Sequence, residues 1–436
     1  MDLSLSTDGS SKKKVLIASC IFMGLGHILY LKQFVKGIVL AAIEVIFLLS
    51  SKTVLQMLND MIHLSNGYER LATFRLIDGI IALCILVLFV MIYVISIKSA
   101  LEGYNEFCLE GRTKSNKESI QGLFGKAFPI IALSPTVILV VFFVIVPLVF
   151  SITTGFTNWS KPDHLAKAFG TNIDWVGFSN YKDMFFGGDT EWTGSFAGVA
   201  VWTVCWGFLA TFTCYFGGTI LAAFLYEAKL KVTPVFRAIL ILPYAIPSIL
   251  TVSVWKNLLN ESYGPINKTL RQLGIISSNI PWLNDSKLAK VVCILVNMWV
   301  GVPYFMLLIT GQMTAISADV YEAARIDGAT GIQTFMYITL PLVLYQTVPL
   351  IIMSFTHNIN NFGAIYFLTG GNPSTAKSTV TGAGATDILV TWIYKLTMND
   401  MQYCKAAVLA MLVFIVLAPF AIFNFINTKS FKEGEL

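Results

Sequence analysis

The sequence carries little charge: of its 436 residues, 13% are Asp, Glu, Lys or Arg, whereas 56% are hydrophobic. Soluble domains carry about 25% charged residues. This shortage, together with long apolar runs, excludes an ordinary soluble domain and predicts an all-α protein that crosses a membrane several times. The net charge of +5 comes from basic residues in particular loops. Because they form no basic stripe, nucleic-acid binding is not expected.

Motifs for covalent chemistry are also lacking. The seven cysteines show no C-x-x-C spacing and mostly lie in apolar runs, and the four histidines are scattered, so neither a metal site nor a redox pair is expected. The nearest approach to a phosphate-binding loop, "GNPSTAKS" at 371–378, has Ala376 where the second glycine is needed. No serine-hydrolase or zinc-protease motif occurs. The sequence therefore predicts a protein that is not an enzyme and holds no cofactor. The first apolar run lacks a cleavage site, so no signal peptide is expected.

Apolar windows of about 20 residues, the length that crosses a bilayer, predict eight helical spans. They lie near residues 34–53, 75–98, 129–154, 198–225, 236–255, 289–312, 342–362 and 405–427.

One further apolar run, residues 15–31, is short and interrupted by Gly24 and Gly26. Lysines flank it on both sides, and both groups are expected in the cytoplasm. We interpret it as a re-entrant or interfacial segment. The alternative is a ninth span with the N-terminus outside.

The basic residues of the loops predict which side of the membrane each loop faces. The loops 99–127 and 226–237 and the C-terminal tail are rich in Lys and Arg, which predicts that they are cytoplasmic. Alternation then places residues 156–197, 256–288 and 363–404 outside. It places the loop at about 313–341 inside.

Acidic residues occur inside two early spans, at Glu44 and Asp78. A charge near the bilayer centre costs about 2.5–3.5 kcal/mol on insertion scales, so it normally has a partner or lines a cavity. Asp78 is close enough to a span end to be interfacial. Glu44 lies deeper and is expected to contact another helix or a basic residue, or else to serve transport. In the interiors of the later spans there is no Asp, Glu, Lys or Arg, and His357 is the one ionisable side chain there apart from Cys and Tyr.

Two proline-containing stretches predict interrupted helices inside these later spans. Pro243 and Pro247 flank Tyr244, and Pro303 follows Asn297. A proline removes a backbone hydrogen bond and clashes with the preceding turn. Unpaired backbone at membrane depth is tolerated where it is buried or lines a cavity.

Neutral polar side chains accompany these breaks. Ser354, Asn358 and Asn361 follow each other at i, i+4 and i+7, which predicts that they share one helical face. Such amides either join helices or face a ligand. Neutral amides with tyrosine and tryptophan suit an uncharged, hydroxyl-rich ligand, whereas a phosphate or an amino acid requires a counter-charge.

A charged stretch, "YEAARIDGAT" at 321–330, separates two apolar spans. Ser317 is a candidate N-cap for a helix over 317–327, and Gly328 can end it in a left-handed conformation. A second helix is expected to place Ile332, Phe335 and Ile338 on one face and to end at Pro341. By these features alone the segment is either a docking element or a connector.

The pattern E-A-A-x-x-D-G-A, followed by Leu-Pro at 340–341, resembles the EAA loop of ABC-importer permeases. The stretches "ILPYAIPS" (241–248), "NMWVGVPYFMLL" (297–308) and "SFTHNINNFGAIYFLTGGNP" (354–373) resemble the membrane core of the MalF family of maltose/maltodextrin permeases. The resemblance implies a type I ABC-importer permease fold with a core at 126–436. It implies an accessory membrane region at 1–125 and a coupling loop at about 313–341.

The resemblance also implies roles for individual residues. The residues expected to contact a partner ATPase are Glu322, Ala323, Ala324, Asp327, Gly328, Ala329 and Phe335. The residues expected to contact a sugar are Tyr244, Ser248, Asn297, Val300, Gly301, Ser354, Asn358 and Asn361. His357 departs from the apolar or aromatic residue typical of the family.

The function implied is that of one permease subunit of an ATP-driven oligosaccharide importer, with maltose and maltodextrins first and galacto- or arabinogalacto-oligosaccharides as alternatives. The implied partners are a second EAA-type permease, two copies of an ATPase that binds the ATP, and an external binding protein. The short external loop at about 156–197 implies a single-membrane bacterium with a lipid-anchored binding protein. An ion-coupled secondary transporter is the competing class; it requires intramembrane acids, for which Glu44 is the candidate.

Overall fold

The computed structural model describes residues 9–65, 72–118, 128–161, 173–227 and 233–426, and most of them are helical. Within these ranges the strand-like pairings are two isolated bridges, Thr157 with Trp175 and Ser374 with Gly384. The chain divides into two compact units, Met1–Val176 and Gly177–Leu436. The C-terminal tail and parts of both basic loops, for which we predict a cytoplasmic location, lie outside the described residues.

The first unit contains six α-helices, counted over its described residues. They are α1 (Gly9–Ile21), α2 (Leu25–Leu29), α3 (Phe34–Ile62), α4 (Ala72–Glu110), α5 (Phe128–Val140) and α6 (Val146–Thr154). A π-helical turn, Val141–Ile145, joins α5 to α6.

The second unit contains the remaining helices of the described chain. They are α7 (Ser179–Phe185), α8 (Thr190–Glu227), α9 (Thr233–Ala245), α10 (Ser248–Leu258), α11 (Pro265–Gln272), α12 (Ser286–Thr314), α13 (Ala318–Ile326), α14 (Gly331–Thr334), α15 (Leu340–Ile359), α16 (Phe362–Thr369), α17 (Ser378–Thr381), α18 (Leu389–Met398) and α19 (Tyr403–Ile426). A second π-helical turn, Phe335–Thr339, joins α14 to α15.

Every predicted span has a helical counterpart. Seven helical segments of the described chain are long and apolar enough to cross a membrane, and the pair α9 and α10 makes an eighth if it is counted as one bent span. The prediction of an all-α membrane protein with about eight spans is therefore confirmed.

The apolar run near the N-terminus forms two short helices. The 13 residues of α1 extend for about 20 Å, whereas a bilayer core is about 30 Å thick. The chain turns at Gly24, whose φ is +83°; a Cβ there would lie 2.2 Å from the Gly37 carbonyl oxygen of α3. Only glycine allows this turn to lie against α3. The structure thus favours the re-entrant or interfacial interpretation over a ninth span.

Glu44 is buried on α3 and holds this turn. Its carboxylate accepts a hydrogen bond from the backbone N–H of Met23, between α1 and α2. A helix break leaves backbone donors without intrahelical partners, and a carboxylate satisfies one of them. Glu44 is expected from the sequence to contact another helix or a basic residue; its hydrogen-bond partner is instead the turn between two helices.

The proline predictions are right in one place and wrong in two. Between α9 and α10 the chain bends by 90° at Ile246 and Pro247, as expected. The expected interruption at Pro303 is wrong, because α12 runs unbroken through it. Residues on the C-terminal side of this proline, Phe305 and Met306, are buried in one core cluster with Tyr215 of α8, which holds the helix on one axis.

The expected helix end at Pro341 is also wrong. The π turn lies just before it, with the Leu340 N–H bonded to the Phe335 carbonyl. Pro341 is the second residue of α15 and follows this wider turn directly, so the helix passes through the proline although its nitrogen cannot donate a hydrogen bond. One apolar segment, Gly331–Ile359, runs from the charged loop into the core of the second unit.

A buried carboxylate organises the connection between α16 and α18. Asp387 is fully buried and accepts hydrogen bonds from the Gly384 N–H (2.7 Å), the Thr391 hydroxyl (2.8 Å) and Lys395 Nζ (2.7 Å). Burial raises the pKa of Asp387, and the nearby ammonium group opposes this rise. The ion pair fixes the loop onto α18.

Candidate functional site

A cavity of about 480 Å³ lies within the second unit. Its walls come from α8, α9, α10, α12, α15 and the start of α16. All the residues for which we predict sugar contacts lie around it: Tyr244, Ser248, Asn297, Val300, Gly301, Ser354, Asn358 and Asn361. Sequence positions more than a hundred residues apart thus converge on one site.

The bend between α9 and α10 supplies one wall. Pro247 is extended, with φ −52° and ψ 126°, and Ser248 begins α10 directly after it. Tyr244 lies on the other side of the bend, and its ring is 5.6 Å from that of Tyr304 on α12. The break therefore places a hydroxyl and an aromatic pair at the cavity. It also lies where interrupted helical backbone is tolerated at membrane depth, since that backbone lines a cavity.

Asn358 and Asn361 form another part of the lining, but they do not share a continuous helix face. The predicted i, i+4, i+7 arrangement with Ser354 is wrong in this respect, because α15 ends at Ile359. Asn361 is instead the N-cap of α16, where its side chain accepts from the Ala364 N–H. An asparagine that can cap a new helix competes with continuation of the old one. Both asparagines nevertheless line the cavity.

The contact between α8 and α12 brings Asn297 to the cavity. A Cβ on Gly301 would lie 2.8 Å from Cys214 Sγ, so glycine permits this close approach. Asn297 Nδ2 lies 3.4 Å from the same sulfur, and the thiol donates to the Asn297 carbonyl over 3.6 Å. Asn297 is thus held in place by its contacts with Cys214 of α8.

The lining is neutral. Among the lining residues there is no Asp, Glu, Lys or Arg, and His357 is the one histidine. Burying a carboxylate or phosphate without a counter-charge is costly, so the cavity suits an uncharged ligand. Tyrosine rings and amides together match the apolar faces and hydroxyl groups of a sugar.

Several lining residues are not among those predicted from the sequence. Tyr304, Phe305, Leu350 and Met353 complete the cavity wall. Tyr304 follows Asn297 by seven residues and Gly301 by three, so a helical projection of the unbroken α12 would have found it. No group of three or more metal-ligating side chains occurs in the described parts of the chain.

The charged loop between α12 and α15 folds as predicted over its first helix. Ser317 caps α13 by accepting from the Asp319 N–H. Gly328 ends it with φ +75°, and a Cβ there would meet no atom within 4 Å. Thr330 and Gln333 then form a reciprocal capping box at the start of α14. The loop is a helix–turn–helix element in which the starts of both helices are capped.

The side chains of this loop divide into anchored and exposed groups. Ala324 is buried, and the Tyr321 ring lies 6.0 Å from that of Tyr226 on α8. Among the residues predicted to contact an ATPase, Glu322, Ala323, Asp327 and Gly328 are exposed, while Ala329 and Phe335 are half-buried. Two apolar side chains are strongly exposed beside them, Ile326 at 86% and Ile332 at 78%.

Comparison with known proteins gives the class of this fold and site. Residues 215–430 match the family described as "Binding-protein-dependent transport system inner membrane component". The galactooligosaccharides transport system permease protein GanP of Bacillus subtilis is 35% identical over 434 residues, which cover 97% of this chain and 99% of GanP. The maltodextrin permease MdxF of the same bacterium is 33% identical over 98% of both chains.

Two further similarities cover smaller shares. The maltose/maltodextrin permease MalF of Escherichia coli is 37% identical over 257 residues, or 58% of this chain and 49% of MalF. The crystal structure of a bacterial ABC transporter involved in the import of alginate matches with a TM-score of 0.55 and 19% identity, covering 72% of this chain and all of that one. This likeness supports the ABC-importer permease fold.

The helices, the cavity and these relatives define a multi-pass permease of the cytoplasmic membrane. The chain belongs to the binding-protein-dependent transport system inner membrane component family, as a MalF-type permease of an ABC importer for sugars. Both Bacillus relatives are named as permease proteins of transport systems.

Proposed function

We propose that this chain is one permease subunit of an ATP-driven importer of neutral oligosaccharides. The observation that carries the proposal is the convergence of Tyr244, Ser248, Asn297, Ser354, Asn358 and Asn361 on one uncharged cavity. The cavity holds hydrogen-bonding groups without a charge, which matches a glycan of hexose units and disfavours acidic or phosphorylated sugars.

Maltodextrins and galacto-oligosaccharides are the two candidate substrates. Maltodextrins are favoured by the MalF-type stretches at 241–248, 297–308 and 354–373. Galacto-oligosaccharides are favoured by the 35% identity to GanP over nearly the whole chain. A cavity of this size contacts few sugar units, so chain length is expected to be selected mainly by the external binding protein.

The partners follow from the same proposal. A second EAA-type permease would complete the translocation path. Two copies of an ATPase would bind the permease pair from the cytoplasm, and one of them would contact the exposed loop around Glu322 and Gly328. ATP would be bound by those subunits. An external binding protein, lipid-anchored in a single-membrane bacterium, would deliver the sugar. Residues 126–436 would form the transport core and residues 1–125 an accessory region.

The test is uptake by the complete transporter in proteoliposomes, after co-purification through a C-terminal tag. Radiolabelled maltotriose and β-1,4-galactotriose are supplied with the binding protein, with ATP or with a proton or sodium gradient. We expect ATP-dependent uptake of at least one sugar. Uptake driven by an ion gradient, by a chain that purifies alone, would refute the proposal.

Orientation is tested by accessibility labelling of single cysteines placed at Ser10 and Ala329. Cys20, Cys108 and Cys205 are exposed and must be replaced first. We expect both positions to label from the cytoplasmic side. External labelling at Ser10 would instead support a ninth span.

A further inference from the structure

Thr211 lies behind the cavity wall on α8 and is fully buried. Its hydroxyl lies 2.7 Å from the carbonyl oxygen of Gly207, one turn earlier in the same helix. A carbonyl can only accept, so the single hydroxyl hydrogen of Thr211 is used there. The Thr211 oxygen can therefore take part in a further hydrogen bond only as an acceptor, through a lone pair.

That lone pair faces the side chain of Asn358. Asn358 Nδ2 lies 2.9 Å from Thr211 Oγ1. Because Thr211 has no hydrogen left to give, the amide can bond to it only through its NH₂ group. The carbonyl oxygen of Asn358 therefore belongs to the cavity side. Trp206, also on α8, donates from Nε1 to the Asn358 backbone oxygen over 3.0 Å and fixes the main chain as well.

Two other cavity amides are oriented in the same manner. Asn361 Oδ1 accepts from the Ala364 N–H over 3.2 Å, which leaves its NH₂ group for the cavity. Cys214 donates its thiol hydrogen to the Asn297 backbone oxygen, so its sulfur receives the Asn297 NH₂ group and the Asn297 Oδ1 is left for the cavity.

We propose that Thr211 is a positioning residue for substrate recognition: it fixes Asn358 as a hydrogen-bond acceptor in the cavity. With Asn297 as a second acceptor and Asn361 as a donor, the site has a fixed polarity. This inference rests on the proposed function and deepens it. A sugar hydroxyl can donate to Asn358 and Asn297 and accept from Asn361, whereas the carboxylate of a uronic acid can only accept and would face two carbonyl oxygens.

The decisive variants are Thr211→Val and Thr211→Ser in the complete transporter. Valine keeps the shape and removes the oxygen, so the Asn358 amide loses its restraint and its NH₂ loses a buried partner. Serine keeps the oxygen. The matched control is Thr310→Val on α12: Thr310 is also buried and donates to the carbonyl one turn earlier, over 2.7 Å to Met306, but it does not line the cavity.

The measurement is the Kd of the sugar that the wild-type transporter takes up, maltotriose or β-1,4-galactotriose, by equilibrium dialysis against the purified complex without binding protein. We expect Thr211→Val to raise Kd by about tenfold, the effect of one lost hydrogen bond. Thr211→Ser and Thr310→Val are expected to stay within about twofold of wild type.

A second readout separates positioning from packing. Monodeoxyfluoro derivatives of the same sugar replace one donating hydroxyl at a time by fluorine, which cannot donate. At the position that contacts Asn358, fluorination is expected to weaken binding to the wild type and to have a smaller effect in Thr211→Val, whose free amide can turn its NH₂ to the ligand.

Unchanged Kd in Thr211→Val, equal loss in Thr211→Ser, equal loss in Thr310→Val, or the same fluorine sensitivity in wild type and Thr211→Val would each overturn the assignment. If the wild-type transporter takes up neither sugar, the proposed function fails and the assignment fails with it. If the wild-type transporter takes up one of the sugars but a Thr211 variant gives one of these contrary results, the positioning role of Thr211 fails and the proposed function stands.

Discussion

The hydroxyl of Tyr215 lies 2.8 Å from that of Thr347, and both side chains are fully buried between α8 and α15. Thr347 donates its own hydrogen to the Val343 carbonyl, 2.7 Å away, so Tyr215 is the donor of the pair. This bond joins the helix that carries Thr211 to the helix that carries Asn358. It connects two helices that line the cavity, one helical turn after Thr211 on α8.

The direction of that bond predicts unequal effects of its two simplest variants. Tyr215→Phe removes a donor and leaves Thr347 bonded to Val343, so it should cost about 0.5–1.5 kcal/mol. Thr347→Val removes the acceptor that the buried Tyr215 hydroxyl uses across the helix contact and should cost about 1–3 kcal/mol. Thermal unfolding of the purified protein measures both. A larger loss in Tyr215→Phe would contradict the assigned direction.

The approach of Gly301 to Cys214 predicts a compensating pair. Gly301→Ala places a Cβ 2.8 Å from Cys214 Sγ, so either the Cys214 side chain must rotate or α8 and α12 must move apart. Overpacking of this kind costs about 1–3 kcal/mol. Cys214→Ala removes the sulfur, so Gly301→Ala/Cys214→Ala should recover part of the lost thermal stability. If the double variant is less stable than Gly301→Ala, steric overlap at this contact is not the cause.

Much of this architecture could be predicted from the sequence because its physical signals are local. Apolar length predicts the spans, Pro247 predicts the bend, and Ser317 and Gly328 predict both ends of α13. The errors come from effects that need neighbours. Pro303 lies in an unbroken helix because Phe305 and Met306 pack onto α8, and no pattern within α12 shows this.

The candidate site shows the same division. Its polar members could be predicted because amides in apolar spans stand out, and the structure brings them together. The geometry could not: Asn361 begins a new helix, and the orientation of Asn358 depends on Thr211, which lies 147 positions earlier in the chain. Both depend on contacts made only after folding.

The backbone at Gly328 predicts graded effects among variants of the charged loop. Its φ of +75° is strained for residues with a Cβ, and the surrounding space is empty, so conformation decides the outcome. Asparagine tolerates this region best, whereas valine does not. We expect ATP-driven uptake to fall in the order wild type, Gly328→Asn, Gly328→Asp and Gly328→Val.

The amount of inserted protein should stay nearly constant in this series, because Gly328 is exposed and a side chain added there meets no atom within 4 Å. Immunoblots of membranes provide the control. Uptake at the wild-type level in Gly328→Asp would count against a coupling role for the loop.

The contact between Glu44 and Met23 predicts which variants of this acid are tolerated. Glu44→Gln can still accept from the Met23 N–H and should retain ATP-driven uptake. Glu44→Leu removes the acceptor from the turn between α1 and α2, which should lower the amount of folded protein. Loss of uptake in Glu44→Gln, with normal protein levels, would revive an ion-coupled mechanism. The measurement is uptake normalised to inserted protein.

The ion pair of Asp387 and Lys395 predicts a pH dependence. Lys395→Met leaves a buried carboxylate unpaired, which should cost about 3–5 kcal/mol at neutral pH. Burial already raises the pKa of Asp387, and loss of the ammonium raises it further.

A carboxyl with a raised pKa binds its proton more tightly in the folded state. Its contribution to stability is therefore full at low pH and is lost as pH rises through the folded pKa. Lys395→Met should thus unfold at a higher temperature at pH 5 than at pH 8, with a larger difference than in the wild type. Thermal scans at both pH values decide this, and a flat profile would contradict it.

The π turn at Phe335–Thr339 sets the rotational phase of everything that follows it in the same segment. A turn closed by an i→i+5 bond contains one residue more than an α-helical turn, and one residue corresponds to about 100° of rotation. Ser354 and Asn358 face the cavity in the phase that this extra residue provides. The orientation of the amides relative to the exposed loop therefore depends on this turn. Converting the turn to a regular α-helix would rotate the cavity-lining part of α15 relative to the loop.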